Sequence, residues 1–338
     1  MQAAASTAPA DSIATRPAPP VPTEVPLPGV AVTKLAPPRL RAGLVARPAL
    51  ERRLANAIVA SRLVLLSAPA GFGKTTALAR QLALLPAGTA TAWISADPDD
   101  DLASLLAALL AALAPLDLPW HGAPATLLAA QGHQPTHRPA LAWALQNALA
   151  AAPVPRGVIV IDDAHRITDP AAFAFLDALL ERLPGHWSLL LASRQAPPLA
   201  LARLRALGEL AELQPAELQF SPAETQALAR SRAPGWPDAA VQRLHERTQG
   251  WPAGISLALA QAPSARAHEP AGPLPVLGRI PECGVRRYTS DRAVFDYLDS
   301  EALAGLPAAL RDFLLRCAAL SEWSTDACAD VSGRHDAA

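Results

Sequence analysis

The sequence predicts an α/β fold in which helices wrap a parallel sheet. Four apolar runs of strand length, Leu63–Ser67, Thr91–Ser95, Val158–Ile161 and Trp187–Ala192, are continuous rather than alternating. Strands buried on both faces by crossover helices read this way. Helical spacing appears between them. Leu50, Leu54, Ala57 and Ile58 follow Pro48, and Leu102, Leu105, Leu106, Leu109, Leu110 and Leu113 follow the acidic Asp99–Asp101, whose charge suits the positive end of a helix dipole. Strands alternating with helices imply parallel βαβ units.

The elements can be justified in chain order. Residues 1–32 are dominated by Ala, Pro, Ser and Thr without apolar periodicity, so they bury too little surface to offset their ordering entropy and are expected to form a disordered tail. The α/β pattern occupies 33–215, and from Pro222 onward it is helical only, which predicts a small helical lid domain over 216–260. A Pro/Gly/Ala-rich stretch over 261–290 reads as a linker. With 338 residues the chain can bury one full core and a second, smaller one.

Composition excludes several classes. The 29 basic and 30 acidic residues leave a net charge of −1, against a strongly basic nucleic-acid face. Only two of the basic residues, Lys34 and Lys74, are lysine. Cys283, Cys317 and Cys328 are too few for a disulfide framework or a four-cysteine zinc site. The apolar stretch 102–116 is shorter than a membrane span and contains Pro115. No basic region followed by an apolar block opens the chain, so a cytoplasmic protein is expected.

Directly after the first strand comes Ala68-Pro69-Ala70-Gly71-Phe72-Gly73-Lys74-Thr75-Thr76, then an apolar-periodic helix. This is the phosphate-loop pattern with Ala68 in place of the first glycine; its alternative is a plain Gly-rich strand-to-helix turn. Gly71 and Gly73 let backbone N–H groups face a phosphate at a helix N-terminus. Ala70, Phe72 and Thr76 contribute to the same cradle. Lys74 brings a compact cation to the β- and γ-phosphates and is counted as catalytic, while the Thr75 hydroxyl joins a Mg²⁺ shell. The expected cofactors are ATP and Mg²⁺, and the sheet that of a P-loop NTPase.

The run Val158-Ile159-Val160-Ile161-Asp162-Asp163 ends a buried strand on two carboxylates, where ligands of open α/β sheets bind. Asp162 is expected to hold the metal. Asp163 either orients or deprotonates an attacking water, or is a helix N-cap or a solvated turn acid. After the fourth strand, Arg194 is either a reader of the γ-phosphate or an ordinary surface arginine. His133 and His137 are separated by Gln134-Pro135, which breaks the helix that would align them, so they and His121 read as loop residues. Asp97–Asp101 reads as a solvated, helix-capping turn, and the helix from Leu102 as a buried one.

These residues carry a resemblance. Thr33-Lys34-Leu35, Pro37-Pro38, Leu44-Val45, Arg47, the phosphate loop, Trp93–Ser95, VIVIDDAH and LASRQAPPLALARLRA are similar to the ATPase region of MalT-like regulators, LuxR-family transcriptional activators of the STAND class of signal-switched ATPases. The stretch Leu244–Gly254, with Gly250-Trp251-Pro252, resembles the family's GxP segment, and Val294–Ser332 resembles the start of its winged-helix region. The resemblance implies an ATP/ADP switch with slow hydrolysis, Arg194 as γ-phosphate sensor, Pro252 beside the adenine, the segment near Arg47 approaching the base, and self-association in the ATP state. It makes 291–338 a partial winged-helix region. Relatives continue into a repeat sensor and a helix-turn-helix. No helix pair with a basic recognition face occurs here, so DNA binding is not expected of this chain. The alternative from another class is a P-loop enzyme phosphorylating a small molecule, with Arg138 in a lid loop over 131–139.

Overall fold

The computed structural model describes residues 30–98, 100–120 and 138–260, and beyond them 297, 300, 306–318, 320 and 324–332. Most of the predicted tail, the linker, His121, His133, His137 and Cys283 lie outside the described residues. Five strands, β1 (Leu63–Ser67), β2 (Ala90–Ser95), β3 (Gly157–Asp162), β4 (Trp187–Ser193) and β5 (Leu210–Leu213), form one parallel sheet in the order β2-β3-β4-β1-β5. The four expected strands are all present. β5 was not expected from the sequence, since it is a short edge strand with Glu212 inside it.

Period-two geometry divides the strands between two cores. Leu63 and Leu65, Ile159 and Ile161, and Leu189 and Leu191 face the core covered by α3 (Leu102–Leu113), α4 (Arg138–Ala151) and α5 (Pro170–Glu181). Val64 and Leu66, Val158 and Val160, and Leu190 and Ala192 face the opposite core, filled by Leu50, Leu54 and Ile58 of α1 (Pro48–Ala60) and by Leu78 and Leu82 of α2 (Lys74–Leu84). The inner strands β1, β3 and β4 are nearly continuous apolar runs because both of their faces are covered. A short α6 (Leu201–Ala206) precedes β5.

Leu218, on α7 (Pro215–Leu218), still belongs to the α1–α2 core. Helices α8 (Pro222–Arg232), α9 (Asp238–Thr248) and α10 (Pro252–Ala260) then pack on a core of their own around Leu228, Val241, Leu244, Ile255 and Leu259. Ser221 and Glu224 start α8 with a reciprocal capping box. Further on, α11 (Ala308–Cys317) packs against α12 (Thr325–Ser332), burying Cys317 and Cys328.

Two readings of the sequence are corrected. Asp97–Asp101 is not simply a solvated turn. Asp101 does cap α3, accepting from Ser104 N, but Asp100 is buried and takes both of its oxygens to Lys34 Nζ at 2.7 Å. The 3₁₀ turn Val32–Leu35 delivers that lysine, a contact 66 residues apart in sequence and hence invisible to local patterning. Arg138, placed by the sequence in a lid loop, opens helix α4. Among the described residues no helix is long and apolar enough to cross a membrane.

Candidate nucleotide-binding site

The site is assembled at the C-terminal edge of the sheet. β4 lies between β1 and β3, so the loops after these three strands bring the phosphate loop, Arg194 and the Asp162–Asp163 pair together. Ala68 N donates to Ser193 O at 3.2 Å, tying the loop to β4. Gly73 has φ 77° and caps α2, a backbone conformation that favours glycine, and a Cβ there would meet nothing. Gly71 has φ 78°, and its constraint is tighter. An added Cβ would sit 2.6 Å from Ala253 Cβ and 2.7 Å from Trp251 Nε1. The helical unit therefore rests directly on the loop.

Lys74 is buried and folds back over the loop, its Nζ donating to Ala68 O at 2.7 Å and Pro69 O at 3.0 Å. Burial lowers its pKa, Arg194 lowers it further, and Asp163 and Asp162 oppose the shift. Thr75 Oγ1 donates to Asp162 Oδ1 at 3.1 Å. Burial, reinforced by the neighbouring Asp163 charge, pushes the Asp162 carboxyl up to about 6. A buried carboxylate disfavoured by its surroundings, hydrogen-bonded to a hydroxyl, offers oxygen atoms suited to a hard cation, and the loop amides beside it suit phosphate oxygens. ATP with Mg²⁺ thus fits the residues present.

Asp163 adopts φ 54° and makes no side-chain cap bond to the following 3₁₀ turn, so of its readings the water-orienting acid and the solvated turn acid are both compatible with the geometry. Its half-exposed carboxylate lies 3.9 Å from both His165 Nδ1 and Arg166 Nε. Burial brings His165 down to about 4, with the Arg194, Lys74 and Arg166 charges acting in the same direction against Asp163. Phe72 leans on the α1–α2 core, Ala70 is half-buried and Thr76 is exposed. Pro252 is buried in the first turn of α10, flanked by the two residues that touch the loop.

Those two neighbours were not singled out from the sequence, where Trp251 stood only within the Gly250-Trp251-Pro252 resemblance. Trp251 Nε1 donates to Ala70 O at 3.2 Å and Ala253 N to Gly71 O at 3.0 Å. Arg47, whose approach to the base was implied only by resemblance, binds the segment entering the helical unit. Its guanidinium reaches Leu218 O at 3.0 Å, Gln219 O at 2.6 Å and Glu224 Oε1 at 3.1 Å, and lies 4.9 Å from the centroid of the Phe220 ring.

Fold and site define a P-loop NTPase-type domain. Known proteins agree in detail: residues 59–200 match the model of an AAA domain, and residues 299–338 that of the MalT winged helix domain. The chain is 32% identical over 292 residues to the HTH-type transcriptional regulator MalT of Cronobacter sakazakii, covering 85% of this chain and 30% of that protein. It is 30% identical over 262 residues to MalT of Yersinia enterocolitica, covering 77% and 27%. Among solved structures, a signal transduction ATPase with numerous domains and a tetratricopeptide repeat sensor, from Pyrococcus horikoshii, is similar with a TM-score of 0.49 and 17% identity over 88% of this chain and 38% of that one. The chain is MalT-like, combining the AAA domain with the winged-helix segment, and spans about a third of the length of the curated relatives it matches.

Proposed function

We propose that this chain is the ATP-binding switch module of a MalT-like transcriptional regulator, with slow hydrolysis resetting the switch. The observation that carries the reading is the convergence of Lys74, Thr75, Asp162, Asp163 and Arg194 on one sheet edge, beside a phosphate loop on which the helical unit rests. In this reading 33–215 is the nucleotide-binding domain, 216–260 the lid and 291–338 the winged-helix part.

The N–H groups of residues 70–76 cradle the phosphates at the start of α2, where the helix dipole favours negative charge. Lys74 gives up its two loop carbonyls for the β- and γ-phosphates. Thr75 and Asp162 hold Mg²⁺, which when bound neutralises charge developing on the phosphates. Asp163, on the exposed side of the pair, orients a water and accepts its proton. Arg194 distinguishes ATP from ADP by charge-assisted hydrogen bonds to the γ-phosphate, and Pro252 borders the adenine. The difference between the two nucleotides then biases how the lid and winged-helix parts pack.

Nucleotide binding by wild type and Lys74→Ala in Mg²⁺ tests the reading. Loss of charge-assisted bonds worth about 1.5–3 kcal/mol each predicts affinity weakened about ten- to a hundred-fold. Equal affinity in the two proteins would sink it. Release of phosphate without a phosphorylated acceptor separates a switch from a small-molecule kinase.

A further inference from the structure

Four consecutive carbonyls of the phosphate loop are occupied. Ala68 O and Pro69 O accept from Lys74 Nζ, Ala70 O accepts from the Trp251 indole at 3.2 Å, and Gly71 O from Ala253 N at 3.0 Å. In a trans peptide the C=O and N–H point in opposite directions. Fixing the Ala70 carbonyl outward therefore aims the Gly71 N–H inward, and fixing the Gly71 carbonyl aims the Phe72 N–H the same way. Two of the loop's amides are thus oriented from outside the sheet domain, by residues 181 and 182 positions further along the chain.

Trp251 has a second neighbour. Its ring centroid lies 5.9 Å from that of Tyr297, with the rings tilted by 55°, a separation and angle typical of favourable aromatic pairs. Tyr297 lies two residues before the matched winged-helix segment. The indole also lies over Gly254, where an added Cβ would sit 2.4 Å from its ring, so with Gly71, Gly254 and Tyr297 around it the indole has little freedom to shift without one contact changing.

We propose that Trp251 is a positioning residue that presets the amide orientation of the phosphate loop and, through their ring contact, makes nucleotide retention depend on Tyr297. The inference deepens the nucleotide-switch reading and rests on it. A ring at 297 pressed against the indole keeps the indole N–H on Ala70 O, and withdrawal of that ring lets the Ala70–Gly71 peptide rotate and loosens the cradle.

The test is the dissociation rate of ADP in Mg²⁺ from the full chain. Trp251→Phe keeps an apolar ring over Gly71 but has no N–H, and is expected to release ADP about five-fold faster, the effect of one hydrogen bond. Tyr297→Ala shifts the rate in the same direction, Tyr297→Phe retains the wild-type rate because the ring remains, and the double variant Trp251→Phe/Tyr297→Ala is no faster than Trp251→Phe alone. Wild-type rates in both Trp251→Phe and Tyr297→Ala, or losses that multiply in the double variant, overturn the relay. Should Trp251→Phe fail to fold, a Tyr297→Ala rate equal to that of Tyr297→Phe overturns it and a faster one supports it. If wild type binds no ADP, the switch reading falls together with the relay. If Lys74→Ala weakens binding but these variants do not, the relay alone falls.

Discussion

Asp162 is placed at the end of β3 with its carboxyl raised to about 6 by burial and by the Asp163 charge. Its unfolded-state pKa is close to 3.8, so between about pH 4 and 6 the native state binds more protons than the unfolded chain. Stability therefore falls as pH rises through this window, and the penalty, on the order of 3 kcal/mol, is fully present above it. Asp162→Asn keeps a partner for Thr75 Oγ1 and removes the charge. The nucleotide-free variant is expected to melt higher than wild type at pH 7.5 and at the same temperature near pH 4, while losing any Mg²⁺-dependent stabilisation by ATP. Thermal melts at the two pH values check this, and a variant less stable at pH 7.5 contradicts it. A residue kept at a cost to folding is expected where a cation is to be bound.

At the scale of elements, the Val32–Leu35 turn is secured to the approach to α3 by ion pairs from Lys34 to Asp100 and Asp97. Burial disfavours the Lys34 ammonium, but hydrogen bonds and charge from Asp100 and Asp97 outweigh it and hold its pKa above the ordinary value. Asp100 also accepts from Asp97 N at 2.7 Å, so the buried carboxylate organises both the turn and the approach to α3. Lys34→Met leaves that carboxylate with its backbone partner and no countercharge, and should cost about 2 kcal/mol. Urea denaturation is expected to show this as a lower midpoint, recovered in part by adding Asp100→Asn. An unchanged midpoint would mean that the pair holds nothing. Both lysines thus have a setting for a compact cation: Lys74 lies in the loop proposed to cradle phosphates, and Lys34 meets a buried aspartate. The first was legible because the loop is a local motif. The second was not, because its partner is 66 residues away. β5 escaped notice for a related reason, since an edge strand with one charged residue lacks the continuous apolar run that betrays a central strand.

For the whole molecule, the contacts that couple the sheet domain to the helical unit include Arg47 on the entering segment, Val45 against the helical core and Trp251–Ala253 on the phosphate loop. Arg47→Ala removes bonds to two carbonyls and to Glu224. We expect native-state hydrogen exchange in α8–α10 to accelerate at least ten-fold, as about 2 kcal/mol of docking is lost, with the amides of β1, β3 and β4 unchanged. Uniform acceleration throughout the chain would instead assign Arg47 to global stability. Because α8–α10 own a separate core, the unit has the means to shift as a body rather than unravel.

The sequence by itself determined the parallel sheet, its four central strands, the phosphate loop and the acid pair, because continuous apolar runs and contiguous motifs are properties of neighbours along the chain. Tertiary structure alone decided that β4 inserts between β1 and β3, that Lys34 neutralises Asp100, and that Trp251 and Ala253 occupy two loop carbonyls. Each of these depends on contact between segments far apart in sequence, where burial and hydrogen-bond satisfaction select partners that no local pattern encodes.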